Sequence, residues 1–86
     1  MIVKELVVEN STGLHARPAS DFVKLAGTFD CEVSIEKESK KVNAKSILGL
    51  LSLGVTKGTK INIITDGSDE KIAMEKIVEF ITNLKE

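Results

Sequence analysis

The sequence predicts an α+β fold with the element order β-α-β-β-α-β-α. Three observations lead there. Two short alternating stretches, residues 32–37 and 40–44, lie so close together that they read as a hairpin, which argues against a wholly parallel sheet. Two longer segments, one opening near Ala16 and one near Ser68, carry apolar residues at helical spacing. Apolar and polar residues alternate in the strands, so the sheet is expected to bury one face and wet the other.

Taken in order, Ile2 to Glu9 holds Val3, Leu6, Val7 and Val8 with Lys4 and Glu5 interposed, a β-branched stretch too short and irregular for a helix. It reads as the first strand, with Leu6 and Val8 facing the core. Asn10, Ser11, Thr12 and Gly13 form a polar loop whose hydroxyls and amides either hold a neighbouring ring or serve as plain turn formers. The first helix spans Ala16 to Ala26, with Ala19, Phe22, Val23 and Ala26 in one stripe, and Pro18 is tolerated because it falls in the first turn. Gly27 is expected to stop it in the left-handed conformation. Phe29 and Asp30 lead into a second strand, Glu32 to Lys37, with Val33 and Ile35 inward, and Lys40 to Ala44 repeats the pattern with Val42 and Ala44. The turn at Glu38 and Ser39 lacks the Asn-Gly or Asp-Gly pair of a tight hairpin.

Ser46 reads as the N-cap of a short helix ending at Gly54. Ile47, Leu48, Leu50, Leu51 and Leu53 nearly surround that helix, more apolar surface than one buried face needs. Leu50 and Leu53 are assigned inward. Ile47, Leu48 and Leu51 are assigned, with Ser20, to a partner-binding surface near His15; the plain alternative is a helix buried on two sides. Lys57-Gly58-Thr59 turns the chain into a fourth strand, Lys60 to Thr65, with Ile61 and Ile63 inward. After a turn at Asp66 and Gly67, Ser68 caps the last helix, Asp69 and Glu70 occupy its first turn, and Ala73, Met74, Ile77, Ile81 and Leu84 mark its buried stripe.

The 86 residues fit one domain, 1–86, with a single modest core. A net charge of −1, with both signs interspersed, gives no field for nucleic acid and no basic segment for a membrane surface. No apolar run approaches the ~20 residues of a membrane span, and the first residues do not resemble a secretory signal, so a cytoplasmic location is expected. The lone Cys31 reads as a small apolar filler at a strand start, and with one cysteine and one histidine no metal site is expected.

The chemistry centres on GLHARPAS, Gly13 to Ser20. His15 falls at or beside a helix N-cap, where unpaired N–H groups and the positive end of the dipole favour an anion. An imidazole, with an unperturbed pKa of about 6.5, attacks a phosphoryl group without a neighbouring base. The backbone N–H groups of Ala16 and Arg17 and the guanidinium of Arg17, the only arginine, suit the oxygens of a phosphate on that ring. Read without context, a lone histidine is equally a simple cap or surface residue.

GLHARPAS, followed at Asn43 to Gly54 by NAKSILGLLSLG, resembles the HPr family, the histidine-containing phosphocarriers of the bacterial phosphoenolpyruvate-dependent sugar phosphotransferase system. The match runs along nearly the whole chain. It implies an open-faced β-sandwich, a four-stranded antiparallel sheet with three helices on one face. It also implies that His15 accepts a phosphoryl group from phosphorylated enzyme I, at ring nitrogen Nδ1, and donates it to enzyme II A-components for sugar uptake. Partner proteins would supply most of the catalysis, so the chain is not expected to be an enzyme by itself, and it needs no cofactor. A monomer is expected.

In the low-GC Gram-positive branch of the family, the serine matching Ser46 is phosphorylated by an ATP-dependent HPr kinase/phosphorylase. For this chain that implies the kinase and a catabolite-control transcription regulator as further partners. A different class stays open: an HPr-like regulatory protein that binds a transcription factor or metabolic enzyme without carrying phosphoryl flux. The known regulator of that type lacks the active histidine, which this chain retains. A third reading is an anion-binding domain with no covalent chemistry.

Overall fold

Val33, Ile35, Ile61 and Ile63 are all buried, and the way they pair explains how the sheet is built. In the computed structural model, which describes residues 1–85, the elements are β1 (Ile2–Val7), α1 (Ala16–Gly27), β2 (Glu32–Lys37), β3 (Lys40–Asn43), α2 (Ile47–Leu53), β4 (Lys60–Asp66) and α3 (Glu70–Thr82). The four strands lie in the order β1-β4-β2-β3, every neighbouring pair antiparallel. Leu6 lies opposite Ile61, Ile35 opposite Ile63, and Val33 opposite Thr65, so these side chains share one face of the sheet. The three helices cover that face. Val3, Glu5, Asn62, Ser34 and Glu36 line the other, where Ile64 is shielded by Val3 and Ser34 standing directly opposite it.

The sandwich is closed by the two long helices. Phe22 of α1 is fully buried and meets Phe80 of α3 edge to face, ring centroids 6.0 Å apart. Such a pair is worth about 0.5–1.5 kcal/mol beyond area burial. Ala73, Met74, Ile77 and Ile81 are the buried residues of α3, as the periodicity predicts. Leu84 departs from that stripe: the helix ends at Thr82, and Leu84 is a half-buried residue beyond it.

Other boundaries also shift for local reasons. β1 stops at Val7, and Val8 exchanges main-chain bonds with the 58–59 turn (Val8 N–H to Thr59 O, 2.9 Å; Gly58 N–H to Val8 O, 2.7 Å). β3 stops at Asn43, just before buried Ala44. Gly27 does not take the left-handed conformation; it is the last helical residue, and Thr28 caps the helix at φ −79° with its N–H on the Leu25 carbonyl. The hairpin turn places only Glu38 at positive φ, 59°, which rules out the doubly left-handed turn that Asn-Gly would favour.

Ser68 is not the cap of α3. Asp69 holds that position, and its carboxylate reaches away from the helix to accept the N–H groups of Asp30 and Cys31, each at 2.8 Å. Glu70 accepts the Gly67 N–H at 3.0 Å and the Met1 ammonium at 3.1–3.2 Å. Cys31 is buried as expected, and burial followed by its neighbour Asp69 pushes its thiol up to about 11.

These two carboxylates set an acid limit on the fold. The Asp30 N–H holds Asp69 below the usual carboxylate value, and the Gly67 N–H and then the Met1 ammonium do the same for Glu70. A carboxyl whose folded pKa is depressed contributes stability that is full above its unfolded value, about 4, and is lost as pH falls through the folded value. Thermal unfolding measured from neutral pH downward should therefore show Tm falling below about pH 4. Asp69→Asn should lower Tm at neutral pH and flatten that acid limb; a variant profile superimposing on the parent's would contradict the assignment.

Candidate functional site

The site grows out of one loop and the helix it feeds. Gly13 has φ +64°, and a Cβ there would lie 2.4 Å from the Val55 carbonyl oxygen and 2.7 Å from Thr56 Cα, so two backbone segments touch at this point. Leu14 donates its N–H to that same Val55 oxygen at 3.0 Å and buries its side chain completely. The loop before the histidine is thereby fixed to the segment that leaves α2.

His15 is the N-cap residue of α1, extended at φ −133°, ψ 161°, and its side chain makes no capping bond. Its ring is exposed, with Nδ1 3.4 Å from the Leu14 carbonyl oxygen. That contact is long enough to be weak. The first main-chain bond of the helix is made by Ala19 N–H to the His15 carbonyl at 3.5 Å, so the N–H groups of Ala16 and Arg17 precede it. Ala16 sits at φ 52°, an unusual value for a residue with a side chain and one that costs on the order of 1–3 kcal/mol where the surroundings enforce it. Arg17 is exposed, and among the described residues it enters no ion pair. Pro18 is buried in the first turn. The sequence-predicted cluster of His15, Ala16 and Arg17 is thus collected at one helix end, open to solvent on top and anchored beneath.

The apolar helix α2 lies on the far side of the Gly13 contact. Leu50 and Leu53 are buried, whereas Leu48 is 78% exposed and Ile47 and Leu51 about 40%. Ser46 caps α2 by accepting the Gly49 N–H at 3.2 Å, and Gly54, at φ 70°, ends it. Its last carbonyls are held by ammonium groups from the hairpin: Lys37 Nζ donates to Gly54 O at 2.9 Å and to Leu53 O at 3.4 Å, and Lys40 Nζ to Ser52 O at 3.2 Å. Ser20 is exposed on the second turn of α1, which packs against α2.

A family model described as the PTS HPr component phosphorylation site matches residues 2–83. The chain belongs to the HPr family. Among HPr-family relatives, the HPr-like protein Crh of Halalkalibacterium halodurans is 52% identical over 81 residues, covering 94% of this chain and 96% of the relative. The phosphocarrier protein HPr of Borreliella burgdorferi is 41% identical over 86 residues, all of both chains. The crystal structure of HPr-C-His from Thermoanaerobacter tengcongensis superposes with a TM-score of 0.94 at 44% identity, covering 95% of this chain and 92% of that one. The open-faced HPr sandwich expected from the sequence is the fold observed, and no described helix is long and apolar enough to cross a membrane.

Three contributors to the site have contacts that the sequence does not reveal. Lys37 and Lys40 read as solvated strand charges, because nothing local reveals that a hairpin will lay them against a helix end. Asn10 reads either as a holder of the neighbouring ring or as a plain turn former, and the structure shows a third role: it is one of two buried polar residues among those described, and its side chain bonds the Gly13 carbonyl. Its signal was weak but present: an asparagine shortly before a glycine, in a loop short enough for its side chain to close on that loop.

Proposed function

We propose that this chain is a phosphoryl carrier acting through His15, and the observation that carries the reading is an exposed imidazole at the N-cap of α1 in a member of the HPr family. A ring nitrogen of His15 attacks the phosphorus held by phosphorylated enzyme I. The new N–P bond forms as the bond to the donor breaks, and the reverse exchange delivers the group to an enzyme II A-component. Transfer through Nδ1 uses the tautomer with its proton on Nε2, which requires the ring to leave the weak 3.4 Å contact with Leu14 O. The N–H groups of Ala16 and Arg17 and the guanidinium of Arg17 stabilise the oxygens of the bound group.

Ile47, Leu48, Leu51 and Ser20 form the surface on which partners dock. Leu48→Asp is expected to raise the KM for transfer about tenfold, the loss of one interface anchor, and to change stability by less than about 0.5 kcal/mol, because the side chain is 78% exposed. Unchanged transfer kinetics would remove Leu48 from the interface. Ser46 is the regulatory position: a phosphoryl group on its Oγ would sit at the end of α2 compatible with the helix dipole and place about two negative charges beside the apolar surface. That charge disfavours an acidic partner and creates a ligand for one bearing Arg or Lys, such as a catabolite-control regulator.

The carrier reading is tested with labelled phosphoenolpyruvate and enzyme I. The expected product is a stoichiometric phosphate on this chain that is labile in acid and stable in alkali. A wild-type chain that stays unlabelled beside an active enzyme I would overturn the carrier role.

The identities of 52% and 47% to the two Crh proteins favour a second reading, a regulatory binding protein acting on a transcription factor or metabolic enzyme. It predicts partner binding that needs phosphorylated Ser46 and is indifferent to His15. With His15 and Ser46 both present, the two roles are compatible in one chain.

A further inference from the structure

We infer that Asn10 is a positioning residue for His15, an inference that rests on the carrier reading. Asn10 is 8% exposed and lies in the loop between β1 and α1. Its carbonyl accepts the Gly13 N–H at 3.1 Å, and its side-chain Nδ2 donates to the Gly13 carbonyl at 2.9 Å, with a longer 3.5 Å contact to Thr12 Oγ1. One residue therefore holds the peptide groups on both sides of Gly13.

The second of those groups is the important one. The carbonyl of Gly13 and the N–H of Leu14 belong to the same peptide plane. Asn10 Nδ2 holds its oxygen, and Val55 O holds its N–H at 3.0 Å. A planar unit restrained from both edges has no freedom to rotate. The next carbonyl along the chain is that of Leu14, which faces His15 Nδ1. Asn10 thus sets the direction from which the chain enters the N-cap, and with it the arc the imidazole sweeps.

Stability alone does not account for this residue. Asn10 Oδ1 is buried and has no hydrogen-bond partner among the described residues, so half of the amide is left desolvated and unpaired. Turning the amide over offers no relief, because it would set Oδ1 against the Gly13 carbonyl oxygen, acceptor to acceptor. An apolar side chain of similar volume avoids the orphaned Oδ1 and gives up the clamp. The amide thus fixes the loop through Nδ2 while leaving its own Oδ1 unpaired.

The test compares Asn10→Leu with the parent in phosphoryl transfer from enzyme I and in urea unfolding. Positioning predicts that kcat falls on the order of tenfold or more, as a displaced nucleophile requires, while KM stays within about twofold because the α2 surface is untouched. The unfolding midpoint should fall only modestly, because the substitution removes the orphaned Oδ1 as it leaves the Gly13 carbonyl without its donor. A kcat within about twofold of the parent's overturns the inference. So does a fall in kcat accompanied by a matching rise in KM and a large loss of midpoint, the pattern of general loosening. If Asn10→Leu does not fold, Asn10→Ser, whose hydroxyl is too short to clamp the Gly13 carbonyl, carries the same comparison. Failure of the parent itself to take phosphate would count against the carrier reading instead, so the two failures are distinguishable.

Discussion

A His15→Ala chain is expected to take no acid-labile phosphate from phosphoenolpyruvate and enzyme I, and to fold as well as the parent. The loss should be complete because this is the sole imidazole in the sequence and no other described side chain offers the same chemistry at this helix end. Arg17, its neighbour, is a donor of hydrogen bonds and never a nucleophile. Retained stability follows from the side chain's surroundings: the residue is exposed, makes no capping bond, and its ring's one hydrogen-bond contact among the described residues is a weak 3.4 Å approach to the Leu14 carbonyl. Surface substitutions of that kind change stability by about 0.5 kcal/mol or less. The two measurements belong together. A stoichiometric acid-labile label on the variant would move the acceptor elsewhere. A large loss of stability would mean that the ring contributes packing the structure does not reveal. With ATP and a cognate kinase, the same variant should still acquire an acid-stable label that depends on Ser46, which separates the two phosphorylation chemistries in one protein.

How far the sequence revealed this arrangement depends on the range over which each feature is encoded. Alternation and helical stripes report on residues a few positions apart, and Val33, Ile35, Ile61, Ile63, Phe22 and Ile77 are all buried where those patterns put them. The Ser46 cap and the left-handed Gly54 are equally local, and both are observed. Errors gather where a local rule competes with a distant partner. Ser68 looks like a cap, but Asp69 is drawn into place by the N–H groups of Asp30 and Cys31, 39 and 38 residues away. Gly27 looks like a left-handed stop, yet nothing lies near it to demand that conformation, and the helix runs through it into Thr28. The site divides in the same way. The cluster of His15, Ala16 and Arg17 is contiguous and legible, whereas the clamps beneath it, Asn10 on Gly13 and Lys37 on Gly54, exist only once the loop and hairpin have closed.

The largest effect on stability is expected from one added methyl group, in Gly13→Ala. At φ +64° any L side chain is strained by about 1–2 kcal/mol, and here the new Cβ also lands 2.4 Å from Val55 O and 2.7 Å from Thr56 Cα. Those are backbone atoms, which cannot swing aside as the end of a flexible side chain would. Relief requires moving the loop or the 54–56 segment, an overpacking cost of about 1–3 kcal/mol more. The total, roughly 2–5 kcal/mol, is a large share of the stability of a domain this size and should lower Tm by more than about 10 °C. The damage is aimed at function as well, because the Leu14 N–H to Val55 O bond lies at the clash and His15 is the next residue. Gly27→Ala is the matched control: beyond its own chain neighbours and the adjacent helix backbone, no described atom lies within 4 Å of its added Cβ, its φ is not left-handed, and it is helical. There the same substitution should raise stability, by up to about 1 kcal/mol, through helix propensity and the smaller entropy of the unfolded chain. Urea midpoints for the pair should move in opposite directions from the parent's. If both variants shifted the same way, the close approach at Gly13 would not be what holds the histidine loop against the segment leaving α2.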